Sequence, residues 1–293
     1  MGVALADAVP AARAVFSRAG AALGEDLLHL CRAGPEEALR QTENTQPAIL
    51  AASVACLVAL RQHGVDAGVA AGLSLGEYTA LVAAGAMRFE DAVVLVRKRG
   101  RFMQETAAER DTAMAAVLGL DPEGVAAACR EAAGAGIVEP SSFNGPGQVV
   151  IGGDSAAVER AAQAARARGA RRVVRLAVSA PFHTSLMQPA ALRLAGELTG
   201  ITLRDPRIPV VANATAEPVT EAGRVREFLI TQVASPVRWE ESVRRMAAMG
   251  ARAFVEVGPG TSLSGMIKKI VEDAVVLHVE DPASLRETVD RLQ

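Results

Sequence analysis

Gly72-Leu73-Ser74-Leu75-Gly76 constrains this chain more than any other segment, because of what flanks it. A short apolar run, 68–71, precedes it, and Glu77-Tyr78-Thr79-Ala80-Leu81-Val82-Ala83-Ala84 follows with the pattern of a helix. The chain must turn sharply from strand to helix with a Gly on each side of a Ser. Glycines let two segments pass where a Cβ would collide, and such a turn pushes the Ser hydroxyl out at the strand's end. The helix start then offers free N–H groups to a developing oxyanion. G-x-S-x-G also arises by chance in a chain rich in Gly, Ala and Leu, so a plain tight turn is the competing reading.

Helical patterns and short apolar runs alternate on both sides of this elbow, the mark of α/β architecture. They predict helices over 10–20, 48–62, 90–108, 185–199, 225–233, 239–249 and 262–271, and strands over 68–72, 208–212, 254–257 and 274–278. From Thr112 the order changes to strand 113–118, helix 121–133, strands 137–143 and 148–151, helix 155–168 and strand 171–178. That β-α-β-β-α-β order is the ferredoxin-like unit. One large α/β lobe is therefore expected, discontinuous over 1–110 and 178–293, with a small lobe at 111–177 set into it.

With 293 residues the chain has ample core to fold without staples. Half of it is apolar, yet no uninterrupted apolar stretch approaches the ~18 residues of a membrane span. A formal charge of −2 and 3% aromatic residues argue against a nucleic-acid surface. Cys31, Cys56 and Cys129 are scattered and odd in number, and the start Met1–Asp7 has no basic region or cleavage site. Reduced thiols in a cytoplasmic protein are expected.

A Ser nucleophile needs a base. His29 lies in a Leu-rich helical stretch, His63 at a helix end and His278 in a terminal strand, where packing or surface roles are simpler. His183 follows the turn residues Ser179, Ala180 and Pro181 at the exit of the small lobe's last strand, on a loop at the lobe junction, where ligand clefts form. The alternative is a helix-capping His. In α/β-hydrolases the order is Ser, acid, His, with the His near the C-terminus. Here 110 residues lie beyond His183 and no evident acid precedes it, so something other than a carboxylate is expected to orient the imidazole. Arg97-Lys98-Arg99-Gly100-Arg101 reads as a solvated basic face, or else one Arg turns inward to clamp an anion with its planar fork.

These segments together resemble the malonyl-CoA:acyl carrier protein transacylases. Ser74 in G-L-S-L-G-E-Y, Arg99 in V-R-K-R-G-R-F-M-Q, Asn144 in F-N-G-P-G-Q-V-V-I and His183 in A-P-F-H-T-S-L-M carry the resemblance. T-Q-P-A-I at 45–49, P-V-R-W at 236–239 and E-V-G-P-G at 256–260 stand in the family's order as well. The resemblance implies an α/β-hydrolase-like large lobe with a parallel sheet and a ferredoxin-like small lobe. It implies that Ser74, with His183 as base, takes a malonyl group from malonyl-CoA and passes it to the phosphopantetheine thiol of acyl carrier protein, with no metal or redox cofactor. Leu75 aligns with an oxyanion-hole N–H, Gln232 with the residue whose backbone carbonyl orients the His, and Arg99 with the partner of the malonyl carboxylate. Gln46 and Asn144 align near the acyl pocket. Phe182 resembles the malonyl-type sequence, a bulky ring leaving little room for an α-methyl.

Two departures stand out. Leu73 replaces the usual His, from which altered contacts around the site are expected. The family also begins with a strand and a G-Q-G loop that gives a second oxyanion donor, whereas this chain starts at Met1-Gly2 and has no G-Q-G. Either the native start lies upstream or the oxyanion site is one donor short, which an intact native mass decides. The alternatives are a discrete acyltransferase of polyketide synthesis, a Ser hydrolase, and a weakened lobe that docks carrier protein. A monomer supplying fatty acid synthesis is the preferred expectation.

Overall fold

The computed structural model describes residues 1–178 and 180–293; Ser179 lies outside them. Nine strands occur among those residues: β1 Ala70–Ala71, β2 Thr112–Leu118, β3 Val138–Gly145, β4 Gln148–Asp154, β5 Arg172–Arg175, β6 Val210–Val211, β7 Pro218–Val219, β8 Ala253–Val257 and β9 Val275–Val279. They fall into three sheets, in the orders β1-β6-β7, β3-β4-β2-β5 and β8-β9.

The first and third sheets form one layer. Val210 faces a large core built on helices Pro10–Leu23, Thr42–Gln62 and Phe89–Ala108, while its neighbour Val211 faces a second core with Trp239, Val243 and Ile267. Phe254 points to that second core, and Val255 and Val257 to the first. Alternation of this kind follows from the period of two in a strand. The parallel sheet expected from the sequence is present in two pieces: β1 runs parallel to β6 and β8 to β9, with β7 antiparallel to β6. Among the described residues the outer edges of β1 and β8 have no ladder partner.

Residues 112–175 build the second sheet, wholly antiparallel, with helices Pro122–Ala132 and Ser155–Ala167 packed on it. Val117, Val125, Val149, Ile151 and Ala161 give it a core of its own. Its strand β3 is stitched to the rest of the molecule: Phe143 N–H donates to Val237 O at 2.8 Å and Val237 N–H to Ser141 O at 2.9 Å.

Several boundaries differ from the sequence pattern. Helix Thr42–Gln62 begins six residues before 48, with Pro47 inside its second turn. This is also the one helix among the described residues long and apolar enough to cross a membrane; it is mostly buried as a core helix. The predicted helix 185–199 splits into a 3₁₀ turn, Ser185–Met187, and helix Gln188–Thr199. Helix Leu27–Ala33 is the Leu-rich helical stretch around His29, whereas helices Val3–Ala8, Glu36–Arg40 and Pro282–Leu292 and the two-residue β7 were not legible in the sequence.

Candidate active site

Ser74 sits between β1 and helix Gly76–Ala83 in the left-handed region, φ 53°. A Cβ on Gly72 would lie 2.1 Å from the Gly76 carbonyl carbon, whereas one on Gly76 would meet nothing within 4 Å. Of the two glycines to which the sequence argument assigned the close approach, Gly72 is thus the one that needs to be bare. Gly72→Ala is expected to cost about 3 kcal/mol or more, lowering Tm by roughly 6–12 °C. Gly76→Ala stays within about 1 kcal/mol of wild type. Thermal unfolding of the two variants checks this. Just past Ser74, the Leu75 N–H points from the helix start with no acceptor among the described residues, as an oxyanion donor requires.

His183 is held on its loop by several bonds. Thr184 Oγ1 donates to Pro181 O at 2.7 Å, and Glu139 of β3 accepts from the Ser185 N–H at 2.7 Å and from Ser185 Oγ at 2.8 Å. Its own backbone is left-handed, φ 60°. The ring lies 2.7 Å (Nε2) from Ser74 Oγ and 2.8 Å (Nδ1) from the Gln232 backbone oxygen. A carbonyl can only accept, so Nδ1 carries the proton and Nε2 presents its lone pair to the Ser hydroxyl. No carboxylate is needed for that tautomer.

Arg99 has turned inward while its neighbours stayed outside: Arg97 pairs with Glu25, Lys98 Nζ reaches Glu197 at 2.6 Å, and Arg101 approaches Glu105 at 3.8 Å. The Arg99 side chain is 2% exposed. Its Nη1 donates to Gln46 Oε1 at 2.8 Å, and its Nη2 to Ser74 Oγ and to Gln232 Oε1, each at 3.0 Å. The Tyr78 ring lies 5.4 Å beneath the guanidinium. Gly100 lets the two helices close, since a Cβ there would lie 2.6 Å from Thr42 O, and this brings Gln46 to Arg99. Every direct partner is neutral, and Arg99 has no ion pair among the described residues. The nearest carboxylate, Glu77, attracts Arg99 only from behind Gln232; burying a guanidinium with no anion bonded to it is unfavourable, so the site is built to receive one.

Two further residues belong here that the sequence reading did not single out. Glu77, 3% exposed, accepts at Oε2 from the Asn213 N–H at 2.9 Å and from Gln232 Nε2 at 2.8 Å. Asn213, in the turn two residues past β6, accepts from the Ser74 N–H at 2.6 Å and donates to Gly72 O at 2.7 Å. Glu77 stands in the quoted G-L-S-L-G-E-Y, but a first-turn acid normally reads as an exposed dipole partner. Nothing in the sequence marked Asn213.

Not all expected residues join the cluster. Asn144, near the end of β3, is buried with its Oδ1 unpartnered, and no hydrogen bond links it to Ser74, His183 or Arg99. Phe182 is half-buried on the large core, and its carbonyl accepts from Ser141 Oγ at 2.8 Å. Leu73 packs on the core around Trp239. His29 and His63 are exposed and His278 half-buried, away from this cluster. A surface cavity of 350 Å³ lined by Arg88, Arg204 and Arg207 lies at the opposite end of helix Gly76–Ala83 and holds none of these groups.

Burial, and then the Arg99 charge, push His183 down to about 4, against the Gln232 hydrogen bond. The imidazole is a free base over the whole physiological range. The acid limb of acylation is therefore expected near pH 4 rather than near 6.5, which rapid-quench acylation from pH 4 to 7 would read. For folding, the unfolded chain binds this proton between about 6.5 and 4 and the native one does not, so His183's contribution to stability falls as pH drops through that window. Glu77, raised to about 7 by burial, works the opposite way: the native state holds its proton from about 4.5 to 7, and its contribution falls as pH rises.

An elbow Ser paired to an uncharged His, beside a buried guanidinium, is the equipment of an acyl transferase. The chain belongs to the acyl transferase domain family, whose model matches residues 1–287. It is 47% identical over 282 residues to the malonyl CoA-acyl carrier protein transacylase of Escherichia coli (strain K12), covering 96% of this chain and 91% of that one. The solved transacylase of that name from Coxiella burnetii superposes with a TM-score of 0.97 at 40% identity, covering 100% and 93% of the two chains. A malonyl-transacylase solved in complex with a type II polyketide acyl carrier protein has a TM-score of 0.95 at 45% identity, covering 98% and 94%.

Proposed function

We propose that this chain transfers a malonyl group from malonyl-CoA to the phosphopantetheine thiol of acyl carrier protein, supplying fatty acid synthesis. The observation that carries the reading is Arg99, buried with no anion bonded to it and 3.0 Å from Ser74 Oγ. An acyl group bound at Ser74 with a free carboxylate supplies the missing charge; an acetyl group does not. The relatives' printed names, and the carrier-protein complex of one of them, support donor and acceptor.

In the first half-reaction Ser74 Oγ gives its proton to His183 Nε2 and attacks the thioester carbon. The carbonyl oxygen takes the negative charge facing the Leu75 N–H. As the C–S bond breaks, the coenzyme A sulfur receives the proton from Nε2, leaving a malonyl ester on Ser74. In the second, Nε2 takes the proton of the carrier thiol, the sulfur attacks the ester, and Ser74 Oγ leaves and is reprotonated. Gln232 O holds the imidazolium formed in both steps. Thioester and ester exchange near energetic balance, so this reading needs no metal or redox cofactor. We place the reaction in the cytoplasm, a reading supported by three free thiols.

Incubation with radiolabelled malonyl-CoA, with and without acyl carrier protein, tests this. A stable malonyl-enzyme that discharges to the carrier is expected; free malonate formed equally fast in both arms would mean a hydrolase.

A further inference from the structure

We propose that Glu77 is the positioning residue of this site: one buried carboxylate oxygen holds the Ser74 turn and the Gln232 side chain in a single register, and through Gln232 it sets where Arg99 and His183 stand. The inference rests on the transfer reading above. Glu77 touches no reacting atom. A first-turn acid placed only for the helix dipole would bond the N–H groups of its own helix. The bonds of Glu77 instead cross to Asn213 and Gln232, 136 and 155 residues away.

What the oxygen decides is the orientation of an amide. Gln232 Nε2 has two hydrogens, and both are used, one on Glu77 Oε2 and one on Ser74 O at 3.0 Å. This leaves Gln232 Oε1 facing the Arg99 guanidinium. With the amide reversed, an NH₂ would face the guanidinium, and an oxygen would face two oxygens. Removing the acceptor at 77 therefore frees the amide to turn, and Arg99 loses one of its neutral acceptors. Gln232 is fully buried, and its backbone oxygen holds His183, so a shift there reaches the imidazole too. The second bond, from the Asn213 N–H, seats the side chain that bridges Gly72 O and the Ser74 N–H across Leu73, on the strand side of the nucleophile. Both bonds fall on one oxygen, so a neutral amide carbonyl in that place can serve equally well.

Single-turnover acylation by malonyl-CoA and by acetyl-CoA is measured for wild type, Glu77→Gln, Glu77→Asp and Glu77→Met, with folding followed by circular dichroism. Glu77→Met is expected to slow malonyl acylation ten- to a hundredfold and to lower the malonyl-to-acetyl ratio at least tenfold, because Arg99 is misplaced. Glu77→Gln restores the ratio to within about threefold of wild type, and Glu77→Asp, its oxygen drawn back by one methylene, falls between. Loss of folded protein alone slows both acyl groups equally, so an unchanged ratio in folded Glu77→Met overturns the proposal. Should that variant not fold, an unchanged ratio in folded Glu77→Asp does the same. Glu77→Gln as impaired as Glu77→Met would also overturn it, since the charge and not the acceptor would then matter. Wild type that takes no malonyl label refutes the transfer reading itself, whereas labelled wild type with unchanged variants refutes only the role of Glu77.

Discussion

Ser74→Ala is expected to leave no malonyl-enzyme after exposure to malonyl-CoA and to lower transfer by about 10⁴–10⁶-fold. The hydroxyl is the group that attacks and the group that leaves, and among the described residues Ser74 Oγ is the nucleophile hydrogen-bonded to His183 Nε2. Ala keeps the Cβ, so the left-handed turn and its bonds to Asn213 are retained and the variant folds. The Leu75 N–H and Arg99 remain to bind substrate, and removing one member of a coupled pair typically costs as much as removing both. Intact-mass spectrometry after malonyl-CoA exposure, beside steady-state transfer, is the measurement. Unchanged labelling in this variant would put the nucleophile elsewhere.

Arg99→Ala is expected to lower kcat/KM for malonyl-CoA by roughly 10²–10⁴-fold, the equivalent of the 3–5 kcal/mol lost when one partner of a buried ion pair is removed. Acetyl-CoA should lose far less, because it never supplied an anion to the guanidinium. The ratio of the two substrates, rather than either rate, is the diagnostic. Arg99→Lys should fall between: a charge remains, but a point ammonium cannot serve Gln46, Gln232 and a carboxylate with one planar fork. Equal losses for malonyl and acetyl donors would make Arg99 a support for Ser74 and not a selector of the acyl group.

Much of this architecture was legible where local signals are strong. The elbow carries its own punctuation in Gly72 and Ser74, and the βαββαβ order of 112–175 shows in successive periodicities, because each element there is long enough to display one. The two-residue β1 and β6 were legible only as longer apolar runs, 68–72 and 208–212, whereas β7 is too short to show any pattern and depends on its pairing with β6. Ser74 and His183 could be named because chemistry demands a nucleophile and a base, and only four His were available. Which Arg of 97–101 turned inward could not be read from spacing alone: helix periodicity gives a face, but Gly100 and the approach of Thr42 decide the depth. Glu77 and Asn213 escaped notice because their importance lies in long-range bonds.

Both reacting side chains hang from backbone that L-amino acids seldom adopt, at 53° and 60°. A β-branched residue is especially disfavoured there. The fold thus legislates on chemistry before any substrate arrives: cysteine could inherit the post at position 74, but threonine, whose hydroxyl serves as nucleophile in other enzymes, is barred by its extra methyl group.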